Sequence, residues 1–169
     1  VGYWSLDENS GQKAYDLSGQ GNHGNLGSDQ SIQSSDPSQG SNGVLGTSAY
    51  SFDGSDDKVN LGNGTSLEAS SFTLSVWVNA NEDLTNVDQS FISRWSGNNY
   101  NYLLRSGQGG GGKKVEGRIH DGGGSGSAVS LYAPNPSPNK WSHYVLTNNE
   151  NGERRLYKNG KSGQIGRAS

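Results

Sequence analysis

Hydrophobic residues are sparse along this chain, and where they cluster they come in twos. In Phe72–Asn79, Phe72, Leu74, Val76 and Val78 fall on one face and Thr73, Ser75, Trp77 and Asn79 on the other. That period-2 alternation predicts a half-buried strand. Its second face is polar except for Trp77, so it is expected to meet solvent. Shorter runs of the same kind predict strands over 89–95, 100–105, 114–120, 127–133, 141–149 and 153–158, with others near 3–6, 49–52 and 58–61. Asn151-Gly152, between the last two long runs, reads as a two-residue hairpin turn. No segment carries a helical period. About ten short strands, each with one apolar and one polar face, predict an all-β, two-sheet antiparallel sandwich.

The connections have a chemistry of their own. Asp16 to Gly24 holds Gly19, Gly21 and Gly24 among Asx residues and predicts tight turns with positive φ. Residues 27–48 read as one long polar loop, with Ile32, Val44 and Leu45 its apolar positions. Gly-rich stretches at 107–112 and 122–126 read as flexible connections. Pro134, Pro136 and Pro138 mark an extended link that cannot be a central strand. There is no internal repeat, and a single domain over 1–169 is expected.

Composition sharpens this picture. Gly (27), Ser (27) and Asn (18) make up 72 of 169 residues, and 28% of the chain is hydrophobic. A helical bundle needs more apolar stripe than that. Disorder does not fit either, because charged residues are 17% and aromatic ones 9%. Nothing approaches the roughly 18-residue apolar run of a membrane span. The net charge of −3 gives no electrostatic reason to bind nucleic acid. With no Cys, disulfides, thiolate metal sites and Cys nucleophiles drop out. With no Met, a processed product, an excised domain or a fragment is expected.

Five motifs in order carry a family resemblance. Tyr3-Trp4-Ser5-Leu6-Asp7-Glu8-Asn9-Ser10-Gly11 with Asp16-Leu17-Ser18-Gly19-Gln20-Gly21-Asn22 resembles the opening of a laminin G-like domain. Ser51-Phe52-Asp53-Gly54-Ser55-Asp56-Asp57-Lys58-Val59 resembles its acidic turn. Ser71-Phe72-Thr73-Leu74-Ser75-Val76-Trp77-Val78 resembles its central strand. Trp141-Ser142-His143-Tyr144-Val145-Leu146-Thr147 and Leu156-Tyr157-Lys158-Asn159-Gly160 resemble its last hairpin. The resemblance is to the concanavalin A-like jelly rolls of prokaryotic surface proteins. It implies a two-sheet jelly-roll sandwich, an extracellular or cell-surface location, and a role in adhesion or carbohydrate binding. The family pattern continues into a closing strand beyond the residues that end here at Ser169. A sandwich without it is expected to be incomplete at its C-terminus, with an open edge that a second copy or another chain could fill as strand donor.

Three chemistries compete for the polar residues. Calcium wants several oxygen ligands, and the candidates are Asp53, Asp56 and Asp57 in one turn and Asp16 and Asn22 in another. The resemblance adds weight, since laminin G-like domains often hold calcium. The simpler reading is that these side chains cap turns through backbone N–H groups, which suits Asp16 and Asp53 best. Sugar binding wants aromatic faces beside hydroxyl-bonding groups. Trp95, Asn98, Asn99 and Tyr100 cluster in one loop, and Arg94, Asn101, Arg105, Arg118 and His120 are expected on polar strand faces nearby. Tyr100 and Tyr102 share a face with Leu104 and could equally be core. Trp4 and Trp141 read as core, and His143 as structural. Catalysis finds little support. Jelly-roll glucanases place two Glu on one strand face, and the six Glu here (8, 68, 82, 116, 150, 153) lack that spacing. Arg118-Ile119-His120 and Tyr157-Lys158-Asn159-Gly160 echo a jelly-roll lyase only faintly.

The leading expectation is a non-catalytic recognition or adhesion module that binds a glycan or surface polysaccharide, with calcium as candidate cofactor. Its rival is a structural subunit of a surface filament whose neighbour supplies a strand. A polysaccharide lyase or hydrolase stands third.

Overall fold

The predicted strands form except near 3–6, where Trp4 makes only an isolated bridge to Asp16, and strands at 13–14, 24–26, 38–41 and 161–167 join them. In a computed structural model, residues 1–63, 65–84, 87–96, 99–107, 114–120 and 128–167 are described, with backbone alone at 95, 96, 99–101 and 164–167. The strands are β1 (Lys13–Ala14), β2 (Gly24–Leu26), β3 (Ser38–Ser41), β4 (Ala49–Ser51), β5 (Val59–Asn60), β6 (Phe72–Asn79), β7 (Ser90–Ser96), β8 (Asn99–Arg105), β9 (Lys114–His120), β10 (Ala128–Pro134), β11 (Trp141–Asn148), β12 (Glu153–Lys158) and β13 (Lys161–Arg167). A 3-10 turn, Thr65–Leu67, lies before β6. The chain folds as two compact units, Val1–Glu68 and Ala69–Ser169.

The second unit is an antiparallel jelly-roll sandwich. One sheet runs β10-β9-β8-β7 and the other β13-β12-β11-β6. Their facing sides share one core: Leu104, Val115, Ile119, Leu131 and Ala133 from the first meet Tyr144, Leu146 and Leu156 from the second, with Phe72, Leu74, Val76 and Val78 packed against them. Each fully buried aliphatic side chain here contributes about 2 kcal/mol. Tyr144 brings a hydroxyl into this core and donates it to Pro134 O at 2.8 Å, which offsets its burial. Gly117 sits in β9 where a Cβ would lie 2.8 Å from Leu146 Cδ1, so the close approach leaves room for hydrogen alone.

Two hairpins differ in a way the sequence pattern did not separate. Asn159 and Gly160, with φ of 51° and 74°, make the two-residue turn between β12 and β13. Asn151-Gly152 does not form such a turn. Asn149 pairs with Glu153 through Asn149 N–H to Glu153 O at 3.1 Å, leaving the three-residue loop 150–152 with Gly152 at φ 71°. The Asn149 side chain decides this, because its Oδ1 accepts the N–H of both Asn151 (3.0 Å) and Glu153 (2.8 Å).

The first unit has a smaller core of Ala14, Leu26 and Tyr50, with Trp4, Leu6 and Val59 against it. The sheet β1-β2-β5 and the pair β3-β4 build it. Two expectations change here. The polar stretch 27–48 is not all loop, since β3 lies inside it and pairs with β4 just beyond. Gly19 and Gly21 have positive φ as expected, but Gly24 lies in β2 and is required for space: a Cβ there would lie 2.5 Å from Val59 Cγ1.

Candidate functional sites and family

The residues expected to bind sugar gather on the sheet β7–β10, but its register divides them. On β9, Val115, Gly117 and Ile119 face the core, so Glu116, Arg118 and His120 face outward. Arg105 pairs with Glu116 and therefore shares that outer face. It is not available to a ligand there. Its Nε donates to Glu116 Oε2 at 2.8 Å and its Nη1 to Asp88 Oδ2 at 2.9 Å. Glu116, only 3% exposed, takes a further hydrogen bond at 2.6 Å from the Ser130 hydroxyl. Burial of a carboxylate is tolerable because both its oxygens are bonded. His120 is buried as well, and both it and Arg118 make interactions of their own.

Arg94 departs from the expected grouping. It pairs with Tyr102, which pairs with Ile119, so Arg94 stands on the core-facing side, opposite to Arg105, Arg118 and His120. Irregularities in the β7–β8 ladder on both sides of Ile92–Arg94 produce this, and strict alternation does not foresee them. Tyr102 is core: it is 7% exposed, lies 5.1 Å from the Phe72 ring, and has its hydroxyl pKa raised by burial, against which the nearby Arg94 charge acts. Asn101 falls between the paired positions Arg94↔Tyr102 and Trp95↔Tyr100, so it is the extra residue of the bulge. Asn98 and the side chains of Trp95, Asn99, Tyr100 and Asn101 lie outside the described residues. The backbone pairs Trp95↔Tyr100 and Ser96↔Asn99 set the backbone of Trp95, Asn99 and Tyr100 at the end of the β7–β8 ladder.

The two candidate metal groups also differ. Asp16 is 5% exposed and its carboxylate is spoken for: Oδ1 accepts the N–H of Tyr3 and of Ser18, and Oδ2 that of Asn22, all at 2.9 Å. Hydrogen bonding with the Ser18 side chain is the largest cause holding its pKa far below the usual carboxylate range; desolvation opposes it, and the three backbone donors add to it. Asn22 spends its side chain on Val1 O, at 3.0 Å, and on the Ser66 hydroxyl. These two residues tie the N-terminal residues Val1 and Tyr3 to the 16–24 turn.

Asp53, Asp56 and Asp57 are brought together instead, with carboxylate oxygens within 4.8 Å of one another. Asp53 Oδ1 accepts the Ser55 N–H at 2.8 Å and Asp57 Oδ2 the Asp53 N–H at 2.7 Å. Local capping therefore uses one oxygen of each of these two. The remaining oxygens and Asp56 suit a hard cation by donor type.

A further grouping was missed by sequence reasoning. Trp77 and His143 are direct partners across β6 and β11, and their rings stack at 4.7 Å with 18° between planes. The Ser75 hydroxyl lies 2.8 Å from His143 Nε2. The His143 backbone is gripped by Asn159, whose Oδ1 accepts its N–H and whose N–H it accepts, both at 2.8 Å. Alternation had already turned Trp77 outward. What it lacked was the register that puts His143 beside it.

Comparison with known proteins agrees with this architecture. A crystal structure of an HCR/D mutant matches with a TM-score of 0.58 and 21% identity, over 98% of this chain and 40% of that one. This chain thus spans two fifths of that structure's length, and the likeness is one of fold. No curated protein matches the sequence. A laminin G-type family profile, described as the concanavalin A-like lectin/glucanases superfamily, matches residues 53–167. With more than half of its length matched in this way and a jelly-roll sandwich as its fold, the chain belongs to the concanavalin A-like lectin/glucanase superfamily.

Proposed function

We propose that residues 1–169 act as one non-catalytic recognition module, outside the cell or on its surface, that binds glycans at the β7–β8 hairpin. The superfamily holds both lectins and glucanases, and the observation that carries the choice is the state of Glu116. A glucanase needs two carboxylates free to act as acid and as nucleophile or base. Glu116 is the only carboxylate on the described strands of the β7–β10 sheet, and it is consumed by Arg105 and Ser130. Recognition asks less of such a sheet: a rigid support for the hairpin that carries Arg94, Trp95, Asn98, Asn99, Tyr100 and Asn101. Calcium at Asp53, Asp56 and Asp57 belongs to the same reading. No helix among the described residues is long and apolar enough to cross a membrane. A glycan array, run with calcium and then with chelator, tests the proposal. Signals that vanish in Trp95→Ala or Tyr100→Ala support it. Release of reducing ends from any arrayed polysaccharide overturns it, as does an array with no signal.

A second reading is favoured by one feature. β6 ends its sheet, and its eight residues have no strand beyond them among the described residues. Strand addition from another copy would satisfy that edge. Light scattering during size-exclusion chromatography separates the two: a monomer at all concentrations removes the assembly reading, and concentration-dependent oligomers support it.

A further inference from the structure

We propose that the outer face of the β13-β12-β11-β6 sheet is a second sugar-binding surface, centred on Trp77, that takes a neutral polysaccharide chain along β6. This surface shares no residue with the β7–β8 hairpin and does not need that site to be right.

The composition of the face is the first argument. The outward positions of β6 are Thr73, Ser75, Trp77 and Asn79. Those of β11 are Trp141, His143, Val145 and Thr147, since Ser142, Tyr144 and Leu146 are buried on the other side. None of these eight is Asp, Glu, Lys or Arg. The charges at its margin are Glu150, at the Thr73 end, and Arg155 on β12, which is engaged by Tyr157 and by Glu153 at 4.0 Å. Such a face offers hydroxyls, an amide and rings but no ionic partner. It therefore suits neutral sugars over uronates or sulfates.

The second argument is the setting of Trp77. It is 37% exposed, high for the largest apolar side chain on a sheet face. One side of the ring is stacked on His143, and that ring is pinned by Ser75 and, through its backbone, by Asn159. β6 is the sheet's terminal strand, so the other side of the indole looks away from β11. A pyranose presents a C–H face that packs on such a ring, and the ring loses little freedom on binding because it is already held. Ser75 and Asn79 stand two residues to either side on the same face, about 7 Å away along the strand. There they can bond the hydroxyls at a sugar's rim. The Ser75 hydroxyl keeps this capacity beside His143, because it has one donor and two acceptor sites.

The third argument is length. At the other end of the same two strands, beside Thr73, lies an open cavity of about 410 Å³ lined by Ser71, Phe72, Thr73, Asn148, Asn149 and Glu150. From Trp77 to Thr73 is about 13 Å of strand, room for more than one ring of a chain laid along β6.

The alternative is that Trp77 and His143 are only a cross-strand pair that stabilises the sheet. Affinity gel electrophoresis of the whole chain distinguishes them, with hydroxyethylcellulose, xylan, β-glucan and galactan as neutral probes and alginate as the acidic one. Retardation by at least one neutral polysaccharide is expected, with affinity falling about tenfold or more in Trp77→Ala, partly kept in Trp77→Phe and unchanged in Trp95→Ala. Should Trp77→Ala not fold, Asn79→Glu places a charge at an exposed position beside the indole and is expected to abolish retardation at unchanged melting temperature. The proposal is overturned if no neutral probe retards the protein, if alginate alone does, or if the folded variants run as the parent does. Loss in Trp95→Ala without loss in Trp77→Ala leaves the hairpin site standing and removes this one.

Discussion

Arg105 and Glu116 form a buried ion pair across β8 and β9, with Arg105 Nε 2.8 Å from Glu116 Oε2. The carboxylate is 3% exposed, so it depends on Arg105 and on the Ser130 hydroxyl for all the solvation it has. Arg105→Ala leaves that charge buried without its cation and is expected to cost about 3 kcal/mol. The double variant Arg105→Met with Glu116→Leu removes both charges and is expected to recover most of the loss. Urea unfolding of the three proteins measures it. A single variant as stable as the parent would show the pair to be solvated.

Asp16 ties three backbone N–H groups in the first unit, and its pKa is lowered on folding. A lowered carboxylate pKa gives stability that is fully present above the unfolded value and lost as pH falls through the folded one. Here the loss starts below the ordinary value of 3.8 and completes only in strong acid. Asp16→Asn is expected to lower stability by the same amount at every pH above about 5, with the gap to the parent narrowing below pH 4. Urea unfolding of both proteins at pH 7, 5 and 3 tests it. A gap that widens in acid contradicts the assigned role.

β6 and β11 were legible because their burial alternates residue by residue, and the other long strands of the second unit because their residue types do. β6 runs from Phe72 to Asn79 as read, and the predicted strands at 114–120 and 153–158 coincide with β9 and β12. β3, Ser38-Gln39-Gly40-Ser41, has no apolar residue to announce it and exists through its pairing with β4. β13 carries little alternation and is held by its ladder to β12. The site was less legible than the fold. Arg94 crosses to the core-facing side through a ladder irregularity, which no residue type in β7 signals. Arg105 looked like a ligand-binding cation because its partners, Asp88 and Glu116, are 17 and 11 residues away in sequence. Trp77 and His143 are 66 positions apart and meet only through the β6–β11 register.

Gly117 marks the closest approach of the two sheets. A methyl group there would meet Leu146 Cδ1 at 2.8 Å and Cδ2 at 3.3 Å, and Leu146 is itself fully buried. Gly117→Ala is expected to cost about 1–3 kcal/mol through overpacking. Leu146→Val removes a methylene opposite and costs stability alone. Combined with Gly117→Ala it is expected to cost less than the two single losses added together. Thermal melts of the four proteins form the cycle. Strict additivity would mean that the added methyl is accommodated by a shift of the sheets and never presses on Leu146.

Asp53, Asp56 and Asp57 stand in a region whose charge favours a cation. Residues 1–68 hold two basic residues, Lys13 and Lys58, against nine acidic ones, although the whole chain is only at −3. The three carboxylates, within 4.8 Å of one another, repel at neutral pH, and a divalent ion would relieve that. Two of the three are on a solvent-exposed turn, so the affinity expected is that of an exposed extracellular site, with Kd on the order of 0.1–1 mM. Isothermal titration with calcium should give one such site, and a calcium-dependent rise in melting temperature reversed by chelator. Asp56→Asn with Asp57→Asn is expected to abolish both. In the absence of calcium the same double variant should be as stable as the parent or more so, because it removes the repulsion while leaving the Asp53-to-Ser55 cap in place. Loss of stability in the calcium-free variant would instead assign these carboxylates to the turn itself.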